Sequence, residues 1–252
     1  AVEARGLTVT YPGSQRPALV DVSFRLNPGE LVAVVGPVGC GKTTLARALG
    51  RMVQVDAGQL WIDGVDVTAL ELGALRERVA LVPQEGFLFT ASLADNLRYG
   101  EPDAALERVE RAAQQARLEG DIRGFPDGYD TLVGERGITL SGGQRQRTAL
   151  GRALLMDAPL LVLDDALASV DNTTAAGILR SVREQSARSG LGRTVLMISH
   201  QLSAAAACDR VLVLDDGRMV QQGTHQQLLS QPGTYRRLWD REQVDAQLRA
   251  AS

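Results

Sequence analysis

At 252 residues, 44% of them apolar, the chain has length and material for one large domain or a core with an inserted subdomain. A net charge of −3, with arginines scattered among Asp and Glu, argues against the basic stripe of a sequence-independent nucleic-acid binder, so no nucleic-acid partner is expected. Two cysteines, Cys40 and Cys208, make no disulfide framework and fit a reducing cytoplasm.

No apolar run approaches the ~18 residues that cross a bilayer, and no signal-peptide pattern is seen. The chain opens on Ala1 rather than Met, so the expectation is a domain cut from something longer, its membrane part lying outside these residues.

Residues 7–10 and 20–26 alternate apolar and polar side chains as half-buried antiparallel strands do, with a break at Pro12-Gly13-Ser14. Asn27-Pro28-Gly29 is a tight turn that feeds an apolar strand over 31–35. A glycine-rich loop follows, Gly36-Pro37-Val38-Gly39-Cys40-Gly41-Lys42-Thr43, then a helical run over 44–49. Short strands at 59–62 and 65–67 flank a turn at Asp63-Gly64, and a buried-type strand over 79–82 ends at Pro83-Gln84.

From 92 to 152 the character changes. An amphipathic helix over 104–118, a loop at 124–128 and a helix over 142–155 read as a helical insert in an α/β core. The core resumes with a continuous apolar strand at 160–163, suited to a parallel sheet. A helix over 172–188, strands at 194–198 and 211–214, a turn at Asp216-Gly217 and a charged helical tail over 235–251 complete the pattern.

The strand–loop–helix around 36–43 is what a phosphate cradle needs. Glycines let several N–H groups converge on one anion, and the helix start adds its positive dipole end. Lys42 would place an ammonium near the β- and γ-phosphates, and the Thr43 hydroxyl suits Mg²⁺. Of the 27 Lys and Arg residues, 26 are arginine and the one lysine is Lys42, where a compact ammonium fits and a planar guanidinium would not. The chain is therefore expected to bind a nucleoside triphosphate. Cys40 reads as a small filler in that loop, with the alternative that it makes nucleotide binding sensitive to alkylation.

Leu140-Ser141-Gly142-Gly143-Gln144, ahead of a helix, is a second anion cradle or, taken alone, a helix-capping turn. Together with the phosphate loop, this segment resembles the signature motif of ATP-binding cassette (ABC) proteins, and the resemblance runs from about Gly6 to Leu238. It implies a P-loop NTPase core with a mainly parallel sheet over 1–91 and 153–230, including an antiparallel β-subdomain. It further implies a helical signature subdomain over 92–152 and a helical tail over 231–252.

The resemblance carries roles onto matching positions. ATP would be held by Tyr11, stacked on adenine, and by Gly36, Pro37, Val38, Gly39, Cys40, Gly41, Lys42, Thr43 and Thr44; Tyr11 could also be an ordinary strand aromatic. Thr43, Gln84 and Asp164 would serve Mg²⁺, and Asp165, Gln84 and His200 the chemistry, although a lone His is often structural. A carboxylate such as Asp164 at the mouth of a buried strand is costly without a cation partner, which agrees with that assignment. Asp171 would sit in the D-loop.

Two such domains pair head to tail in this family, so Ser141, Gly142, Gly143 and Gln144 would serve a partner's ATP. Val133-Gly134-Glu135-Arg136-Gly137 and Phe87-Leu88-Phe89-Thr90-Ala91-Ser92 with Asp95-Asn96 resemble exporter-type members. These transmit motion to transmembrane domains through the region after Gln84. The implied location is the cytoplasmic face of a cell membrane.

The chain departs from the family at Asp165, where glutamate is usual. Asp164-Asp165 resembles the degenerate half of heterodimeric, multidrug-type exporters, so the expected partner carries the glutamate. Three readings stay open: a transport ATPase with a weak site of its own, a regulatory ATP clamp, and a soluble importer subunit.

Overall fold

The computed structural model describes residues 1–134, 138–188 and 192–250. In chain order, β1 (Val2–Val9) and β2 (Leu19–Leu26) precede β3 (Leu31–Val35) and α1 (Lys42–Leu49). Next come β4 (Leu60–Ile62), β5 (Val65–Asp66), α2 (Leu72–Arg78) and β6 (Val79–Val82). The middle of the chain holds β7 (Ala91–Ser92), α3 (Leu93–Arg98), α4 (Leu106–Gln115), α5 (Glu119–Ile122), a 3-10 turn at Gly128–Asp130, β8 (Leu132–Val133) and α6 (Gly142–Leu155). It is followed by β9 (Leu160–Asp164), α7 (Asn172–Arg188), β10 (Thr194–Ile198) and α8 (Leu202–Ala205). The chain finishes with β11 (Arg210–Asp215), β12 (Arg218–Gly223), α9 (His225–Leu229) and α10 (Thr234–Ala250).

The central sheet runs β12-β11-β3-β10-β9-β6, parallel except for β12. A second, antiparallel sheet runs β2-β1-β4-β5, and β7 pairs with β8. Strands β3, β9 and β10 are buried along their whole length, because apolar layers cover both faces of the central sheet. Alternation then divides each strand between two cores. Leu31, Ala33 and Val35 join Leu161 and Leu163 and the helices α3, α4, α6 and α7 on one side. Val32 and Val34 join Leu160 and Val162, helix α1 and the antiparallel sheet on the other.

Several short elements lay beyond the periodicity of the sequence. Strand β1 reaches back to Val2 because a bulge at Gly6 (φ +60°) shifts its phase, so Val2 and Ala4 face inward in one register and Leu7 and Val9 in the next. Helix α2 buries only Leu75, while α5, α8 and α9 are four or five residues long and too brief to show a period. Strand β12 buries none of its residues and pairs only with β11, as an edge strand does. The helix expected over 104–118 is α4, Leu106–Gln115.

Leu161 lies at the centre of this arrangement and is 0% exposed, whereas Leu72 is 45% exposed. Leu161→Ala is expected to cost about 2–5 kcal/mol of unfolding free energy and Leu72→Ala under about 0.5, read from urea midpoints.

Candidate functional site

Parallel pairing brings the carboxyl ends of four strands to one edge. Ile198 of β10 lies opposite both Val34 of β3 and Asp164 of β9, and Val82 of β6 lies opposite Leu163. The loops that leave those ends therefore carry Gly36–Thr43, Asp164-Asp165, Ser199-His200 and Pro83-Gln84 out of the same edge, the place where open α/β sheets bind ligands.

Loop 36–41 is pressed against its surroundings. A Cβ on Gly36 (φ +155°) would lie 2.0 Å from the Leu214 carbonyl oxygen, and one on Gly41 (φ +106°) 2.6 Å from that of Ala18. No other residue fits either position. Gly41 also starts α1 without a side-chain cap, so the first N–H groups of the helix have no capping side chain to satisfy them.

Lys42 is 5% exposed, and its Nζ donates to the carbonyl oxygens of Gly36 (2.8 Å) and Pro37 (2.9 Å). The ammonium also donates to Cys40 Sγ (3.8 Å), so it is held over the loop by two backbone carbonyls and a thiol. Burial pushes the neighbouring Cys40 thiol up from its ordinary value, and Lys42 only partly opposes it, so Cys40 is a poor nucleophile at neutral pH. The Tyr11 hydroxyl lies 3.2 Å from Thr44 Oγ1, which fixes the ring beside the loop.

Thr43 Oγ1 donates to Asp164 Oδ1 at 3.2 Å. Asp164 is 4% exposed; burial raises its pKa, the adjacent Asp165 carboxylate raises it further, and the Thr43 hydrogen bond opposes both. A buried carboxylate under this penalty beside a hydroxyl fits a divalent cation, and Thr43 and Asp164 are the oxygens that meet here. Asp165 follows in a left-handed conformation (φ +51°), its N–H donating to the Ile198 carbonyl. Asp tolerates that conformation better than most residues.

His200 is exposed beside an open cleft of about 670 Å³ that also borders Gly36, Pro37, Val38, Arg241 and Glu242. The turn after it is closed by Ser199 Oγ, which accepts from Gln201 N at 2.9 Å. Glu242 of α10 then accepts from the N–H groups of Leu202 (2.7 Å) and Ser203 (3.2 Å). Nothing in the sequence marked Glu242, since it sits in a uniformly charged tail.

The segment Ser141–Gln144 makes no hydrogen bond to residues 36–44 among the described residues. It forms a capping box: Gln144 N donates to Ser141 Oγ (3.2 Å) and Ser141 N to Gln144 Oε1 (2.9 Å). Gln144 Nε2 donates to Asp121 Oδ1 (2.9 Å), and Arg147 donates to Asp121 Oδ2 (2.7 Å). The Gln144 side chain is therefore committed, within this chain, to shaping the segment. Asp121 was not foreseen because α5 is a single turn.

Asp171 accepts from Thr174 N at 2.9 Å at the start of α7, and hydrogen bonds from Thr174 hold its carboxyl below the usual range. The Gln84 side chain is exposed just past β6. Beyond it, Phe87 and Phe89 meet edge to face at 5.0 Å, Phe89 stacks on Tyr99 at 4.4 Å, and Arg152 lies over Phe89 and Tyr99. Glu135, Arg136 and Gly137 fall outside the described residues.

A family profile described as ABC transporter matches residues 19–168. An ATP-dependent lipid A-core flippase of Pseudomonas aeruginosa is 44% identical over 238 residues, which are 94% of this chain and 39% of that protein. The multidrug resistance-like ATP-binding protein MdlA of Escherichia coli K12 is 41% identical over 239 residues, 95% of this chain and 40% of that one. A solved bacterial Atm1-family ABC exporter with ATP bound is similar with a TM-score of 0.89 at 38% identity, covering 96% of this chain and 42% of its own. The chain thus spans about two fifths of the length of these relatives.

The raised pKa of Asp164 has a stability consequence. Its cost is present in full above the folded-state pKa and disappears as pH falls below the unfolded-state value. Asp164→Asn is therefore expected to raise the Tm of the ligand-free chain at pH 7. The gain should shrink on acidification, and calorimetry across pH checks both statements.

Proposed function

We propose that this chain, which belongs to the ABC transporter family and is an ATPase domain of that family, energises an exporter by holding Mg-ATP between loop 36–44 and a second domain's signature segment. Its architecture, a mainly parallel sheet with an antiparallel sheet and helices packed on it, is the ABC ATPase fold. The observation that carries the reading is the meeting of Lys42, Thr43, Asp164 and Asp165 at one sheet edge, beside a loop whose positions 36 and 41 admit only glycine.

In this reading the N–H groups of 36–44 and the Lys42 ammonium bind the β- and γ-phosphates, and Tyr11 packs on the adenine. Mg²⁺ would be held by Thr43, Asp164 and Gln84 and would neutralise charge on the phosphate oxygens. Asp165 orients the attacking water and accepts its proton, while His200 lies toward the γ-phosphate. Ser141, Gly142 and Gly143 complete the site of a paired domain, and that domain returns the contribution.

The exposed aromatic group of Phe87 and Tyr99, braced by Arg152, suits docking of transmembrane segments and supports a location at the cytoplasmic face of a membrane. The named relatives support the exporter assignment: one is called a flippase, another multidrug resistance-like, and the solved structure an exporter.

The finer part of the proposal concerns hydrolysis. Asp165 is one methylene shorter than glutamate, and a displacement of about 1 Å in a positioned catalytic group costs on the order of 100-fold in rate. The chain's own site therefore retains ATP, while a heterodimeric partner bearing glutamate hydrolyses the ATP held on its own phosphate loop. In the intact transporter, Asp165→Glu is expected to raise ATP turnover at this site by about 10–100-fold. Changing the partner's glutamate to glutamine should abolish turnover in the otherwise native pair; turnover that survives this change and disappears with Asp165→Ala would refute the clamp assignment.

A further inference from the structure

Gln146 is a buried polar side chain, 8% exposed, one turn into α6. Its Nε2 donates to the Gln84 carbonyl oxygen (3.2 Å), and its Oε1 accepts from Ser169 N (3.0 Å). Both partners are backbone groups of fixed polarity, so the amide has one orientation that satisfies them. Those partners lie 62 and 23 residues away along the chain, one in the segment of Gln84 and the other in the segment leading to Asp171.

Two close approaches press the same segments onto the same turn. A Cβ on Gly86 would lie 3.1 Å from the Arg145 carbonyl oxygen and 3.1 Å from Ala149 Cβ. One on Gly143 would lie 3.0 Å from the Ser169 carbonyl oxygen. Residues 84–86, 141–146 and 169–171 are thus wedged together, with the Gln146 amide as the polar link between the outer two.

We propose that Gln146 is a positioning residue that ties the segment of Gln84 to the segment of Asp171 through the signature helix, so that the three move as one body when ATP is held. It touches neither nucleotide nor water in this role and acts through the backbone of its neighbours. The proposal rests on the reading of Gln84 and Asp171 as parts of the ATP site. Without the amide, each segment keeps its packing but loses its registration on the other.

The test uses the intact transporter with Gln146→Met, which keeps volume and removes both hydrogen bonds, and Gln146→Glu, which keeps the acceptor for Ser169 and sets an oxygen against the Gln84 carbonyl. Gln84→Ala is measured alongside. For Gln146→Met, kcat for ATP is expected to fall about ten-fold, the order of one lost hydrogen bond, with KM for ATP within about two-fold of the parent. Amide exchange over residues 83–90 and 165–171 should quicken about ten-fold while the rest of the chain is unchanged. Gln146→Glu should restore slow exchange at 165–171 alone.

Parental kcat and exchange in Gln146→Met, with Gln84→Ala impaired, would overturn the link and leave the ATP-site reading standing. A uniform quickening of exchange across the chain would overturn it as well, since that is loss of stability rather than of registration. Parental retention of ATP at this chain's own site in Gln84→Ala would sink the ATP-site reading and the link with it.

Discussion

The geometry of the site depends on the register of the central sheet. Five parallel strands end within a residue or two of one another, so segments far apart in sequence emerge side by side. Strand β11 adds a steric limit: its Leu214 carbonyl stands where any side chain at position 36 would have to go. The loop that follows β3 has one path available, inward over the start of α1. A slip of one residue in β9 would turn Asp164 to the opposite face and part it from Thr43.

The polar groups at this edge are arranged so that each is under-compensated in isolation. Lys42 has two carbonyls and a thiol but no carboxylate partner among the described residues, Asp164 has a hydroxyl and a like-charged neighbour, and the start of α1 lacks a side-chain cap. A polyphosphate with a divalent cation offers what each lacks: anion for the ammonium and N–H groups, cation for the carboxylate. The fold holds these groups in place by packing from the two cores on either side of the sheet.

Much of this was legible in the residues because the signals were local. The loop 36–43 announces itself by its glycines and lone lysine, and β3, β9 and β10 by unbroken apolar runs. What escaped was long-range or phase-shifted. The bulge at Gly6 disguised the first half of β1, and single-turn helices carry no period. Asp121, Gln146 and Glu242 owe their roles to partners 23 to 62 residues away, so no window of sequence distinguishes them from other polar residues on helices. Gln144 shows the complementary limit: its place in the motif was visible, but the direction of its amide, toward Asp121 and its own helix cap, was not.

The solitary lysine also makes the chain chemically addressable. Lys42 holds the one side-chain amine in these 252 residues, buried at the point proposed to meet phosphate. Reagents that acylate amines, and proteases that cut after lysine, thus have one internal target each. Their reaction rate with the chain is a direct optical or mass-spectrometric gauge of how often loop 36–42 opens to solvent, with no engineered label required.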